Sequence, residues 1–146
     1  MLPRWIRRTN DDKLAGTIRR LLGLLFVAAG LTKIFIPMLA HSWAGQLEAA
    51  NIPFDALNLW LVPVLEMFIG ILLILGASTR IAAALVVPIM LVAIYVHVVV
   101  DDPSLFPLQP RTPIIPIILL FLSIYLLWRG GGAWSVDLKL THGRDV

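Results

Sequence analysis

Four apolar runs, each 16 to 22 residues long, leave this chain few folds to choose from. They cover residues 15–36, 57–75, 80–100 and 113–128. At a rise of about 1.5 Å per residue, runs of that order match the roughly 30 Å hydrocarbon core of a bilayer. Lipid offers no hydrogen bonds, so each run must satisfy its backbone internally, as a helix. With 59% hydrophobic residues, 14% charged residues and a mean hydropathy of +0.88, the whole chain reads as membrane protein. The expected fold is all-α, a four-transmembrane-helix bundle forming one membrane domain over residues 1–146, with no room for a separate soluble catalytic domain.

The connections add detail. Residues 1–14 form a basic, polar arm. The first run is longer than a signal-peptide core and no small-residue cleavage site follows it, so it counts as helix 1. Between helices 1 and 2, Leu39, Trp43 and Leu47 recur at i, i+4 and i+8, which predicts a short interfacial helix ended by Asn51 in the left-handed conformation and then Pro53. That helix could act as a lid. Helices 2 and 3 carry Pro63 and Pro88, and Pro63 should kink helix 2 near Glu66. The stretch 76–80 is a tight turn. Thr112 and Pro113 look like the N-cap and first residue of helix 4, glycines 130–132 end it, and residues 129–146 form a polar C-terminal tail.

Basic residues assign the sides. Arg4, Arg7, Arg8, Lys13, Arg19, Arg20, Arg80, Arg129, Lys139 and Arg144 fall on one side, against only Lys33 and Arg111 on the other. Ten against two puts both termini in the cytoplasm of a multi-pass protein of the inner (plasma) membrane. All five tryptophans lie at helix ends or in flanks, where indoles straddle apolar and wet layers. The basic excess therefore reports topology, and nucleic acid is excluded as a partner. The absence of cysteine removes thiolate metal sites, iron–sulfur clusters and covalent haem. Neither an intrinsic cofactor nor a metal site is expected.

Within the apolar runs a few polar groups stand out. Lys33, Glu66 and His97 fall in the outer half of helices 1, 2 and 3, as judged by counting residues from each helix end. A lone charge at mid-bilayer costs on the order of 2.5–3.5 kcal/mol on insertion scales, so such groups pair or face a wet interior. The residues Gly16, Gly23 and Gly30 recur every seven positions, with Lys33 one turn further, and small residues let helices approach closely in lipid. Blander readings exist for each group. Lys33 could snorkel to the headgroups, and Glu66 could be a neutral carboxyl bonded across helices. His97 and Tyr95 could simply pack. The candidate ligand-binding residues are Lys33, Glu66, His97, Tyr95 and Trp43, with Glu66 the candidate for proton transfer. Arg80, in the turn before helix 3, is read as binding lipid phosphate or capping helix ends.

The set AGLTK (29–33), the block from Glu66 through GILLILGASTR (70–80), His97 closing helix 3, and GGGAWSVD (130–137) resembles the DoxX family of small four-helix membrane proteins. The likeness spans roughly Arg19 to Asp137. It implies that Lys33, Glu66, Arg80, His97 and Asp137 occupy recurrent positions, with Arg80 and Asp137 as a structural or lipid-facing motif, and it implies a link to quinone-dependent redox, as in a thiosulfate:quinone oxidoreductase. The expected function is an accessory or quinone-interacting subunit of a membrane oxidoreductase, a quinone being the borrowed cofactor. The chain is not expected to be an enzyme by itself, since it lacks flavin, haem and dinucleotide fingerprints. It would act with a redox or assembly partner protein. The alternative is a non-catalytic anchor. Transport is disfavoured, because the inner halves of the helices hold almost nothing ionisable.

Overall fold

The structure is a computed structural model that describes residues 8–142. Arg4, Trp5, Arg7 and Arg144 lie outside the described residues. Six helices and one 3-10 turn follow in order: α1 (Lys13–Phe35), α2 (Pro37–Ala49), α3 (Asp55–Leu75), α4 (Thr79–Val99), the 3-10 turn Pro103–Leu105, α5 (Ile114–Arg129) and α6 (Val136–His142). Among the described residues there is no strand. Helices α1, α3 and α4 are long and apolar enough to cross a membrane, and α5 is a shorter apolar helix of about 24 Å at the usual rise.

Local sequence accounts for the boundaries. Asp12 caps α1, accepting hydrogen bonds from the N–H groups of Leu14 and Ala15 at 2.9 and 3.1 Å. Pro37 stops α1 and starts α2 at once, since its fixed φ suits the first helical turn and its missing N–H is an orphan there anyway. Asn51, with φ of 50°, takes the expected left-handed conformation after α2. Helix α3 runs unbroken through Pro63 and ends at Gly76, which has φ of 68°. One boundary departs from expectation. Pro113 is the residue flanking α5, its ψ of 41° already off the extended region, and Thr112 makes no capping bond.

The glycine stripe explains how the helices meet. A Cβ on Gly23 would lie 2.7 Å from the carbonyl oxygen of Gly70, and one on Gly30 would lie 2.5 Å from that of Pro63. Helices α1 and α3 thus touch backbone to backbone along glycines. Leu22, Phe26, Ile69, Leu73, Ala82, Val86, Met90 and Leu126 fill the core between α1, α3, α4 and α5. A second cluster of Ala50, Val96, Val100 and Phe106 closes the end where α2 lies.

The opposite, terminal end is closed by the segment that follows α5, up to Asp137. Gly131, Gly132, Ala133, Ser135 and Asp137 are all buried. Ala133 donates its N–H to the carbonyl of Asp12 at 2.9 Å, and Asp137 donates its own to that of Gly76 at 3.0 Å.

Candidate functional site

Lys33 lies in the last turn of α1 and Glu66 midway along α3, each on the face that the glycines bring together. The Lys33 ammonium donates to both carboxylate oxygens of Glu66, at 2.6 Å to Oε1 and 2.7 Å to Oε2. Glu66 is 4% exposed, and the Lys33 side chain keeps 21% of its surface. Lysine has three N–H donors. Two meet Glu66, and no partner for the third is found among the described residues.

Trp43 of α2 covers this pair. The Lys33 nitrogen lies 4.9 Å from the centre of the indole ring, within range for attraction between a cation and a π face. The indole nitrogen is buried and has no hydrogen-bond partner among the described residues. A buried donor left unfilled costs on the order of 1–3 kcal/mol, so its presence is informative. Lys33, Glu66 and Trp43 therefore form one unit, comprising an ion pair, an indole face and two N–H donors with no partner among the described residues.

His97 is buried at 6% exposure near the end of α4, with Nδ1 2.8 Å from the carbonyl oxygen of Ala93 and Nε2 buried without a partner. Its ring packs against Phe106, centroids 4.5 Å apart. Among the described residues no hydrogen bond or ion pair joins it to Lys33 or Glu66. Tyr95 stands apart from the unit. It is half exposed, and its hydroxyl donates to the carbonyl of Ala50 at 3.4 Å.

The remaining two residues belong to the terminal end. Arg80 donates through Nη2 to the carbonyls of Trp128 (2.9 Å) and Arg8 (3.2 Å), closing the C-terminus of α5. Asp137 is 2% exposed and so does not face lipid. Its two carboxylate oxygens accept from the N–H groups of Ser78 and Thr79, each at 2.8 Å, capping α4 from across the fold.

Arg19 is the residue that sequence reasoning misplaced. Counted as a basic flank, it is in fact fully buried. Its Nε donates to the carbonyl of Gly131 at 2.7 Å, Nη1 to those of Leu73 and Ile74, and Nη2 to that of Ala133 at 3.3 Å. The guanidinium thus fills the open carbonyls at the end of α3, where the helix dipole favours positive charge. A signal existed. Arg19 is three residues past Gly16 and four before Gly23, on the same stripe that ends in Lys33.

These features define a class: a multi-pass helical membrane protein with a buried ion pair toward one end. The comparisons narrow it further. The family model described as DoxX matches residues 14–99, and the chain belongs to the DoxX family. It is 31% identical over 140 residues to an uncharacterized membrane protein of Mycobacterium tuberculosis (Rv3486), a match covering 85% of this chain and 79% of the relative. No solved structure gives a significant match.

Proposed function

We propose that the protein is a four-span subunit of a membrane oxidoreductase, with both termini cytoplasmic, whose Lys33–Glu66–Trp43 unit receives a quinone. The unit itself carries this reading. A desolvated carboxylate sits beside an ammonium that retains one further N–H, and the Trp43 indole against that ammonium has an N–H with no partner among the described residues. A quinone presents carbonyl oxygens that such donors can hold, and its reduction takes two protons as well as two electrons. Glu66 is the group in the unit able to pass a proton, with Lys33 supporting its charge. Electrons come from a partner protein.

The test is gentle purification with native lipid followed by extraction and identification of bound small molecules. The proposal expects a quinone, lost in Trp43→Ala, together with reduced quinone-linked activity of cells carrying Glu66→Gln. Purified protein without quinone, combined with undiminished activity of Glu66→Gln, overturns it.

One observation favours a second reading, that of a non-catalytic anchor: Lys33 and Glu66 satisfy each other's charge and could serve only to fix helix register. In that case Glu66→Gln lowers the abundance of the assembled complex while turnover per complex stays the same.

A further inference from the structure

A second site lies at the terminal end, far from the ion pair. We infer that Arg20 and Trp134 bind the phosphate of an anionic glycerophospholipid, whose acyl chains follow the apolar strip of α1. Arg20 is exposed, and its guanidinium stacks over the Trp134 indole, 4.8 Å from the ring centre. Helices α1, α4 and α5 carry four arginines near this end. Arg19 and Arg80 donate to carbonyls and Arg129 donates to Asp12. Among the described residues, the guanidinium of Arg20 meets no carboxylate and no carbonyl.

That difference matters chemically. A guanidinium that contacts an indole and meets no protein acceptor among the described residues still has its N–H donors to offer, and their planar fork suits two oxygens of a phosphate group. The indole is held in position by an unusual backbone. Trp134 has φ of 57°, the left-handed region that a bulky residue rarely adopts, and half of its surface is open. Its ring lies against α1 at Gly16, one turn before Arg20. A Cβ there would come within 3.2 Å of ring carbon Cε3 and 2.6 Å of the Ala133 carbonyl oxygen. Glycine at 16 is what lets the ring come this close to the helix beside Arg20.

Beyond Arg20 the same side of α1 continues as exposed Leu24 and Leu31, four and eleven residues on. A cationic fork followed by an apolar strip matches a ligand with a charged head and a hydrocarbon tail. A soluble phosphoester would use the fork alone.

The experiment counts lipids retained by the full-length protein in native mass spectrometry, after exposure to equimolar phosphatidylglycerol and phosphatidylcholine. The expected result is selective retention of phosphatidylglycerol, with affinity about tenfold lower in Arg20→Gln, the usual scale for losing a charge-assisted hydrogen bond. Arg20→Lys, which keeps the charge and loses the fork, should lose most of the same affinity. Lys139→Gln, a charge removed elsewhere on this end, should change it by less than about twofold, as expected for an exposed charge outside the site. Arg20 is exposed, so unchanged circular dichroism and elution of both its variants should accompany these shifts. Equal retention of the two lipids, undiminished binding by Arg20→Gln, or an equal loss in Lys139→Gln would overturn the inference. Displacement of the lipid by stoichiometric glycerol 3-phosphate would overturn it too, since the site would then be one for soluble phosphoesters.

Discussion

Lys33 grips both carboxylate oxygens of Glu66, at 2.6 and 2.7 Å, where α1 and α3 run together on glycine. Removing one member strands the other in a place where a charge is expensive, whereas removing both leaves apolar surface against apolar surface. Breaking a buried pair costs about 3–5 kcal/mol, and replacing it whole is often neutral. Glu66→Leu should therefore destabilise the protein by about 3 kcal/mol, at the low end of that range because Lys33 retains some solvent. The double variant Lys33→Met/Glu66→Leu should recover most of the loss. Thermal unfolding in detergent checks this, and a double variant less stable than either single one would refute it.

The same packing makes a sharp statement about size. Gly23 and Gly70 meet so closely that a methyl on either would overlap the other's carbonyl oxygen, at 2.7 Å in each direction. Backbone cannot move aside as a flexible side chain can. Gly23→Ala and Gly70→Ala should each cost about 1–3 kcal/mol, the usual range for overpacking. The double variant should cost less than their sum, since one separation of the helices relieves both. Leu24→Ala, on the exposed side of α1, serves as the control and should leave the melting midpoint nearly unchanged.

Much of this was legible in the chain. Charge in an apolar run forces pairing, so Lys33 and Glu66 stood out, and glycine every seventh residue marked the face they share. Depth alone, however, groups too widely. Tyr95 and His97 lie at similar depth but two positions apart, which turns their side chains to opposite sides of α4, and only His97 is buried. The terminal end was harder still. Counting basic residues treats every arginine as a flank, yet Arg19 is satisfied by carbonyls more than fifty positions away in sequence, at Leu73 and Gly131. No local pattern announces such partners. The segment after Arg129 likewise reads as polar from composition, although Asp137 within it is buried and caps α4.

Arg19 yields a prediction of its own. Its guanidinium serves four carbonyls at once, two at the end of α3 and two in the glycine turn. A lysine has the charge but cannot span that set with one compact ammonium. Arg19→Lys should thus be nearly as destabilising as Arg19→Met, each by roughly 2–4 kcal/mol, since several charge-assisted bonds are lost and buried carbonyls left open. Limited proteolysis should cut the segment after Arg129 sooner in both variants. Full protection of that segment in Arg19→Lys would show that charge alone holds it.

The last prediction concerns acid. Asp12 caps α1 and also accepts from Arg129, at 2.9 Å to Nε and 2.5 Å to Nη2. The bond from the Ala15 N–H, and then the Arg129 guanidinium, hold its carboxyl below the ordinary value of 3.8. A group whose acidity is increased by folding stabilises the fold while it is ionised. Its contribution is fully present above the unfolded value near 3.8 and disappears as pH falls through the lower folded value, because the unfolded chain binds its proton first. Asn at this position still caps a helix but offers Arg129 no charge. Asp12→Asn should therefore be less stable than the wild type at pH 6, with the gap narrowing steadily as the pH is lowered below 4, in thermal melts across that range. A gap that stays constant down to pH 3 would mean that the Asp12–Arg129 contact contributes through geometry and not through charge.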